Sequence, residues 1–403
     1  MDITIHPRPL RGEIQIIPSK SQAHRLLICA AFADKPTDLI CPETNQDIEA
    51  TAECLNRICH AVTRTEWGYD VCPYRCEGDC GPESICLNVH ESGSTLRFLL
   101  PIVGALGIST VFQLEGRLSK RPLSPLWEEM KRMGCKLEWF AEDMFSVNGQ
   151  LRPGDYYIDG GVSSQFITGL LFATSLLDGD STIHITGNLE SRPYVDMTQQ
   201  AMKRFGVETD NFRVKGGQVY HSPGQVTVEG DWSNGAFFLA ANTLGSELLV
   251  LGLSSDSAQG DRAVVEILKA LESGTPAVSA KDIPDLVPIL SVVAAAKNGA
   301  VFTDIRRLRL KESDRVVSTI AMIENLGGRA EADENTLTIY GTGLTGGTVD
   351  AVNDHRIAMA AAIAATVCKK DVTILGAECV KKSYPQFWAE YARLGGNYEQ
   401  YLR

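Results

Sequence analysis

The 403-residue chain has no uninterrupted run of about 18 apolar residues, so no membrane-spanning helix and no membrane partner are expected. Its opening, M-D-I-T-I-H-P, lacks the basic stretch and apolar run of a secretory leader, and a cytoplasmic setting is expected. A positive balance is missing too. Lys and Arg number 38 against 50 Asp and Glu, and the net charge of −12 argues against nucleic acid as a main partner. A local basic cleft for a small anion is compatible with that balance. No metal-ligand motif, dinucleotide-binding fingerprint, P-loop or nucleophilic serine elbow is read in the chain.

Cysteine is not scarce: there are eleven. Cys72, Cys76, Cys80 and Cys86 follow one another as C-x3-C-x3-C-x5-C, with Cys54 and Cys59 just upstream. The paired C-x2-C spacing of common zinc sites is absent, so reduced thiols in a surface hairpin are expected rather than a metal site.

What is present is the composition of a soluble globular protein, 44% apolar and 22% charged, in a chain long enough for two domains. A pattern recurs along it. A polar signal opens an apolar, Ala-rich helix; a β-branched strand follows, then an amphipathic helix. The copies begin at Ser19, Glu91, Ser163, Asp231, Ile283 and Asn353. They lie about 70 residues apart, except the fourth and fifth, which are about 50 apart. The opening helices are apolar nearly all round and should be buried. Most of the amphipathic helices stop at a glycine, Gly134, Gly206, Gly327 or Gly395, as C-caps do. The unit reads as β-α-β-α-β-β, with no room for the final strand pair in the fourth copy. Six units suggest two domains of three, with a break between the third and fourth copies.

The starts of these helices carry polar residues that a buried helix does not need. The first has Lys20, Ser21 and Arg25, and Lys20 and Ser21 are placed to hold a phosphate at a helix N-terminus. The second has Gly93, Ser94, Thr95 and Arg97, followed by Arg121 beside a proline. The third has Ser163, Ser164 and Gln165, then Ser191, Arg192 and Tyr194. The fifth has Asp285, and the sixth has Asp354, His355 and Arg356, then Lys381 and Lys382. The densest run is R-L-K-E-S-D-R, residues 309–315. A helix starting near Glu312 would put Lys311, Glu312 and Arg315 in its first turn. Cations there oppose the helix dipole but suit the grip of an anion, with a carboxyl group beside it to move a proton. Together these residues fit substrates that carry phosphates and carboxylates, with acid–base chemistry between them.

In these motifs the chain resembles the 3-phosphoshikimate 1-carboxyvinyltransferase (EPSP synthase) family. P-S-K-S-x-x-x-R, G-S-T-x-R-F, S-S-Q, S-R-P-Y, I-P-D, R-x-K-E-S-D-R, N-D-H-R-I-A-M and K-S-Y-P-x-F occur in family order over essentially the whole chain. The resemblance implies two inside-out α/β domains, each of three β-α-β-α-β-β units, with the active site in the cleft between them. The domains would be residues 19–228, and residues 1–18 with 229–403. It implies transfer of the enolpyruvyl group of phosphoenolpyruvate to the 5-hydroxyl of shikimate 3-phosphate, without cofactor or metal; a monomer is expected. By motif, Lys20, Ser21, Arg25, Ser163, Ser164, Ser191, Tyr194, Asp285 and Lys311 would hold shikimate 3-phosphate. Lys20, Gly93, Arg121, Gln165, Arg315, Arg356 and Lys382 would hold phosphoenolpyruvate. Asp285 would be the base and Glu312 the acid, with Lys311 and Lys20 also taking part in the chemistry. The chain departs from the family pattern at Glu91, at Phe98, where proline is common, and at Arg307. Two other readings compete. The related UDP-N-acetylglucosamine enolpyruvyl transferases use a cysteine loop, and the loop bearing Arg121 here has no cysteine. A non-catalytic binder of shikimate-type anions would not need Asp285, Glu312 and Lys311 together.

Overall fold

The computed structural model describes residues 1–59, 62–73 and 84–401. The chain separates into two compact units, Pro18–Val228 and Met1–Ile17 with Glu229–Arg403.

In the Pro18–Val228 unit the second repeat shows the plan. Strand Ile85–Asn88 leads into helix Gly93–Leu106 and on to strand Thr110–Gln113, parallel to the first. Helix Leu126–Arg132 follows, then the hairpin Cys135–Trp139 and Met144–Gly149, whose second strand returns antiparallel beside Thr110–Gln113. A parallel pair requires a long crossover, and the apolar helix supplies it. The third repeat follows the same order. The first takes its opening strand from the far end of the unit, where Gln225–Thr227 pairs in parallel with Thr37–Ile40.

The Met1–Ile17 with Glu229–Arg403 unit uses two strands from the start of the chain. Asp2–His6 lies antiparallel between Val372–Leu375 and Asn397–Tyr401 and completes the sixth sheet. Arg11–Gln15 pairs in parallel with Glu247–Leu251. These two strands are the whole of the fourth sheet among the described residues. Helix Val264–Ser273 runs almost directly into Ala277–Ser279, the opening strand of the fifth.

The apolar helices form the inside of each unit. Twelve of the fourteen residues of Gly93–Leu106 are buried, as is every residue of His355–Ala364. The strands alternate buried and half-buried positions, as in Asp2–His6, so each sheet turns one face to the helices and one outward. The second helices are amphipathic, and Arg192–Arg204 buries Val195, Thr198 and Met202 at helical spacing. Gly206 and Gly327, at φ 78° and 83°, adopt the left-handed conformation that ends such helices.

Five of the six inner helices are capped by a side chain, from Ser19, Ser92, Ser163, Asp231 or Asp354. Each such cap contributes about 1 kcal/mol and fixes where its first turn begins. The same device corrects the expected helix start near Glu312. Asp314 accepts from the Val316 and Val317 amides at 3.1 and 3.2 Å, and the helix is Arg315–Asn325. Lys311 and Glu312 therefore precede the helix and do not share a helical face with Arg315.

Candidate active site

In the unit that contains residues 229–403, Arg315 is the hub. Its side chain is only 1% exposed. Its Nε donates to Asp354 at 2.9 Å, one terminal nitrogen donates to Glu312 at 2.8 Å, and the other donates to Asp285. Ser313 also donates to Asp354, at 2.9 Å. Three carboxylates from three segments thus converge on one planar guanidinium, which can meet them in a fixed fork.

Asp285 sits in the turn before helix Val287–Ala296 and meets two further cations. Lys311 Nζ and an Arg356 terminal nitrogen each lie 3.8 Å from its oxygens. Burial alone would raise the Asp285 carboxyl, but Lys311, Arg315 and Arg356 outweigh it and hold the group well below the usual carboxylate range. Lys311 is brought down to about 8, chiefly by burial, with Arg315 and Arg307 adding to the effect against the pull of Asp285 and Glu312. Arg356 is 3% exposed and lies 5.9 Å over the Phe237 ring. Its Nε and one terminal nitrogen are buried without a hydrogen-bond partner, a costly state in a dry protein and a ready one for an anion. Lys382 donates to the Asn353 carbonyl at 3.2 Å, beside Asp354.

In the Pro18–Val228 unit, Lys20 opens helix Lys20–Ala31 and pairs with Asp47 at 2.8 Å. Arg25, one turn further on, is 2% exposed. Its partners are neutral: Thr198 and Thr168 hydroxyls at 2.8 and 3.4 Å, and Ser21 and Tyr194 carbonyls at 2.5 and 2.9 Å. Its cation also lies 5.0 Å over Phe98, the residue that stands where the family pattern has proline. Burial lowers Arg25 to about 10. The helix carrying Tyr194 is entered through Ser191, whose φ of 55° is uncommon for a non-glycine residue.

Gly93, Arg97, Arg121 and Gln165 come together in the same unit. Gln165 accepts from Arg97 at 3.2 Å and donates to Ser94 at 2.8 Å. A Cβ on Gly93 would stand 2.5 Å from an Arg97 nitrogen and 2.8 Å from an Arg121 nitrogen, so the missing side chain is what admits both guanidinium heads. Ser163 caps helix Ser164–Ser175 by accepting from the Gln165 amide, and Ser164 is buried in its first turn.

Asp354 and Asp47 act as counter-ions that the sequence did not single out for that role. Asp354 carries a signal, since it stands immediately before an apolar helix; nothing marks Asp47 among its neighbours. The run at residues 341–346, G-T-G-L-T-G, does have the glycine spacing of a dinucleotide fingerprint, but it links strand Thr336–Tyr340 to strand Gly347–Asp350 and opens no helix. Cys76 and Cys80 lie outside the described residues. Among the described residues, no group of three or more His, Cys, Asp or Glu is placed to hold a metal ion.

A carboxylate ringed by cations and buried arginines short of anionic partners define a two-unit α/β protein built to hold small polyanions. A family model for EPSP synthase (3-phosphoshikimate 1-carboxyvinyltransferase) matches residues 5–391. The 3-phosphoshikimate 1-carboxyvinyltransferases of Clostridium kluyveri and Clostridium beijerinckii are 38% and 37% identical, over 99% of this chain and 98% and 99% of theirs. The EPSP synthase structure from Acinetobacter baumannii superposes with a TM-score of 0.80 at 22% identity, covering 99% of this chain and all of that one. The enolpyruvyl transferase NikO from Streptomyces tendae gives 0.75 at 17% identity, covering 99% of this chain and 98% of that one. The chain belongs to the EPSP synthase family.

Proposed function

We propose that this chain transfers the enolpyruvyl group of phosphoenolpyruvate to the 5-hydroxyl of shikimate 3-phosphate, releasing phosphate, in the pathway to chorismate and the aromatic amino acids. The observation that carries this reading is the pairing of Asp285 and Glu312 on one buried guanidinium, with Lys311 and Arg356 beside Asp285. A site that only bound anions would gain nothing from two carboxylates among its cations.

Asp285 takes the proton of the 5-hydroxyl, and Glu312 protonates the methylene carbon of the donor. Attack on the resulting oxocarbenium-like centre gives a tetrahedral ketal, and loss of phosphate with return of the protons gives the product. Asp285 without substrate is a weak base because three cations hold it ionised. Phosphate and carboxylate groups of the substrates compete for Lys311, Arg315 and Arg356, which restores basicity to Asp285 as the reactants arrive. Lys311, brought down to about 8, is matched to neutral pH for sharing that proton. Lys20, Ser21, Arg25, Ser163, Ser164, Ser191 and Tyr194 hold shikimate 3-phosphate; the bare positive charge of Arg25 supports its place at the phosphate. Lys20, Gly93, Arg121, Gln165, Arg315, Arg356 and Lys382 hold phosphoenolpyruvate, and the unpartnered nitrogens of Arg356 support that assignment. A reducing, cytoplasmic setting is supported by the eight cysteines that are free thiols among the described residues.

Phosphate release from phosphoenolpyruvate tests the reading. Release that requires shikimate 3-phosphate and falls at least about 100-fold in Glu312→Gln is expected. Tight binding of shikimate 3-phosphate with no release would overturn it.

A further inference from the structure

Arg97 has no assigned part in the site, although its charged head lies among Gly93, Arg121 and Gln165, which do. It stands one turn into helix Gly93–Leu106 and is only 3% exposed. One terminal nitrogen donates to the Gln165 side-chain oxygen at 3.2 Å and to the Gly93 carbonyl at 3.4 Å. The other donates to the Pro122 carbonyl at 3.1 Å, beside Arg121. The cation also lies 5.7 Å from the ring centre of Phe166, the neighbour of Gln165 in helix Ser164–Ser175. These contacts come from three segments and hold the planar head in one orientation.

A carboxamide has an accepting end and a donating end of nearly equal shape, whereas a guanidinium carries donors only. Gln165 can therefore turn nothing but its oxygen toward Arg97. Its NH2 is directed to Ser94, whose hydroxyl accepts at 2.8 Å in the first turn of the helix that Gly93 opens. The second hydrogen of that NH2 is a donor for a phosphate or carboxylate oxygen. Turned the other way, the amide would offer such an anion a lone pair. We infer that Arg97 is a positioning residue that acts through Gln165: it fixes the carboxamide with its NH2 end toward the donor substrate, so that Gln165 donates to the phosphoenolpyruvate anion. The inference rests on the proposed function, which puts Gln165 at phosphoenolpyruvate.

Initial rates of phosphate release at varied phosphoenolpyruvate test it. Arg97→Gln can meet Gln165 as donor or as acceptor and no longer fixes its direction. It should raise KM for phosphoenolpyruvate about tenfold, the scale of one hydrogen bond to a charged group. kcat and KM for shikimate 3-phosphate should change by less than that. Gln165→Met should raise the same KM to a similar extent, and the double variant no further than Gln165→Met alone. Arg97→Lys loses the fork but remains a donor-only cation, so its KM should stay close to wild type; it decides the matter if Arg97→Gln does not fold. Single effects that multiply to about 100-fold in the double variant would overturn the inference, because Arg97 would then act by its own charge or through the fold. An unchanged KM in Arg97→Gln or Gln165→Met, or a tenfold rise in Arg97→Lys, would overturn it as well while phosphate release continued. A wild-type chain that released no phosphate would overturn the proposed function and the inference with it.

Discussion

Asp285 and Glu312 bind the two terminal nitrogens of a single guanidinium, that of Arg315, which is itself nearly inaccessible to solvent. The proposed base and the proposed acid are thereby held at a fixed spacing by one rigid, permanently charged group. Asp354 anchors the third nitrogen at 2.9 Å and is fully buried.

That arrangement gives Arg315 a structural role beside the one proposed for it. Arg315→Ala should lower the free energy of unfolding by about 3–5 kcal/mol, because it leaves buried carboxylates without their cation. Arg315→Lys keeps the charge but not the planar fork, so it should fold better than the alanine variant and still lose at least about 100-fold in kcat. Urea unfolding alongside kcat separates the two effects. Full activity in Arg315→Lys would show that the spacing of the two carboxylates does not matter.

Arg25 should behave in the opposite sense. Its partners are two hydroxyls and two carbonyls, so Arg25→Met leaves no buried charge behind. A stability loss of about 1–3 kcal/mol is expected from the orphaned acceptors. Binding of shikimate 3-phosphate should weaken about 100-fold, the scale of a lost buried charge contact. Unchanged affinity in a folded variant would remove Arg25 from the substrate site.

His24 gives a pH dependence of stability with a defined sign. It is fully buried, donates or accepts at Thr51 over 2.7 Å, and is lowered to about 3 by burial. An unfolded histidine takes up its proton near 6.5, whereas the folded one stays neutral down to about 3. The unfolded state therefore gains protons first as the pH falls, and stability present above 6.5 is lost below it. About 2 kcal/mol should disappear between pH 7 and 5 from this residue alone. Denaturant unfolding of wild type and His24→Asn at the two pH values measures it; an equal pH dependence in the two would mean that His24 takes up its proton as readily in the fold as in the unfolded chain.

Much of the architecture was readable because it repeats. The copy starting at Ser163 places a polar cap before a helix with apolar residues on all sides, and no other secondary structure satisfies both signals. Strand limits such as Ser181–Thr186, a β-branched run, and Glu247–Leu251, a leucine-rich one, follow from short apolar stretches between polar breaks. The start of the helix in R-L-K-E-S-D-R was harder, because Glu312, Ser313 and Asp314 all suit a helix start. Asp314 prevails since its side chain reaches two free amides at once.

The sequence alone determined the six-fold repetition, the buried character of the inner helices and the chemical types available at their first turns. Those properties depend on local periodicity and on which side chains can cap a helix. Tertiary structure decided which charges meet. Asp2–His6 completes a sheet with Val372–Leu375, and Arg315 finds Asp354 thirty-nine residues away. No local preference encodes such pairings. They follow from the packing of helices that bring distant first turns together, and from the cost of burying a charge, which compels each cation to settle beside whichever oxygen the fold delivers.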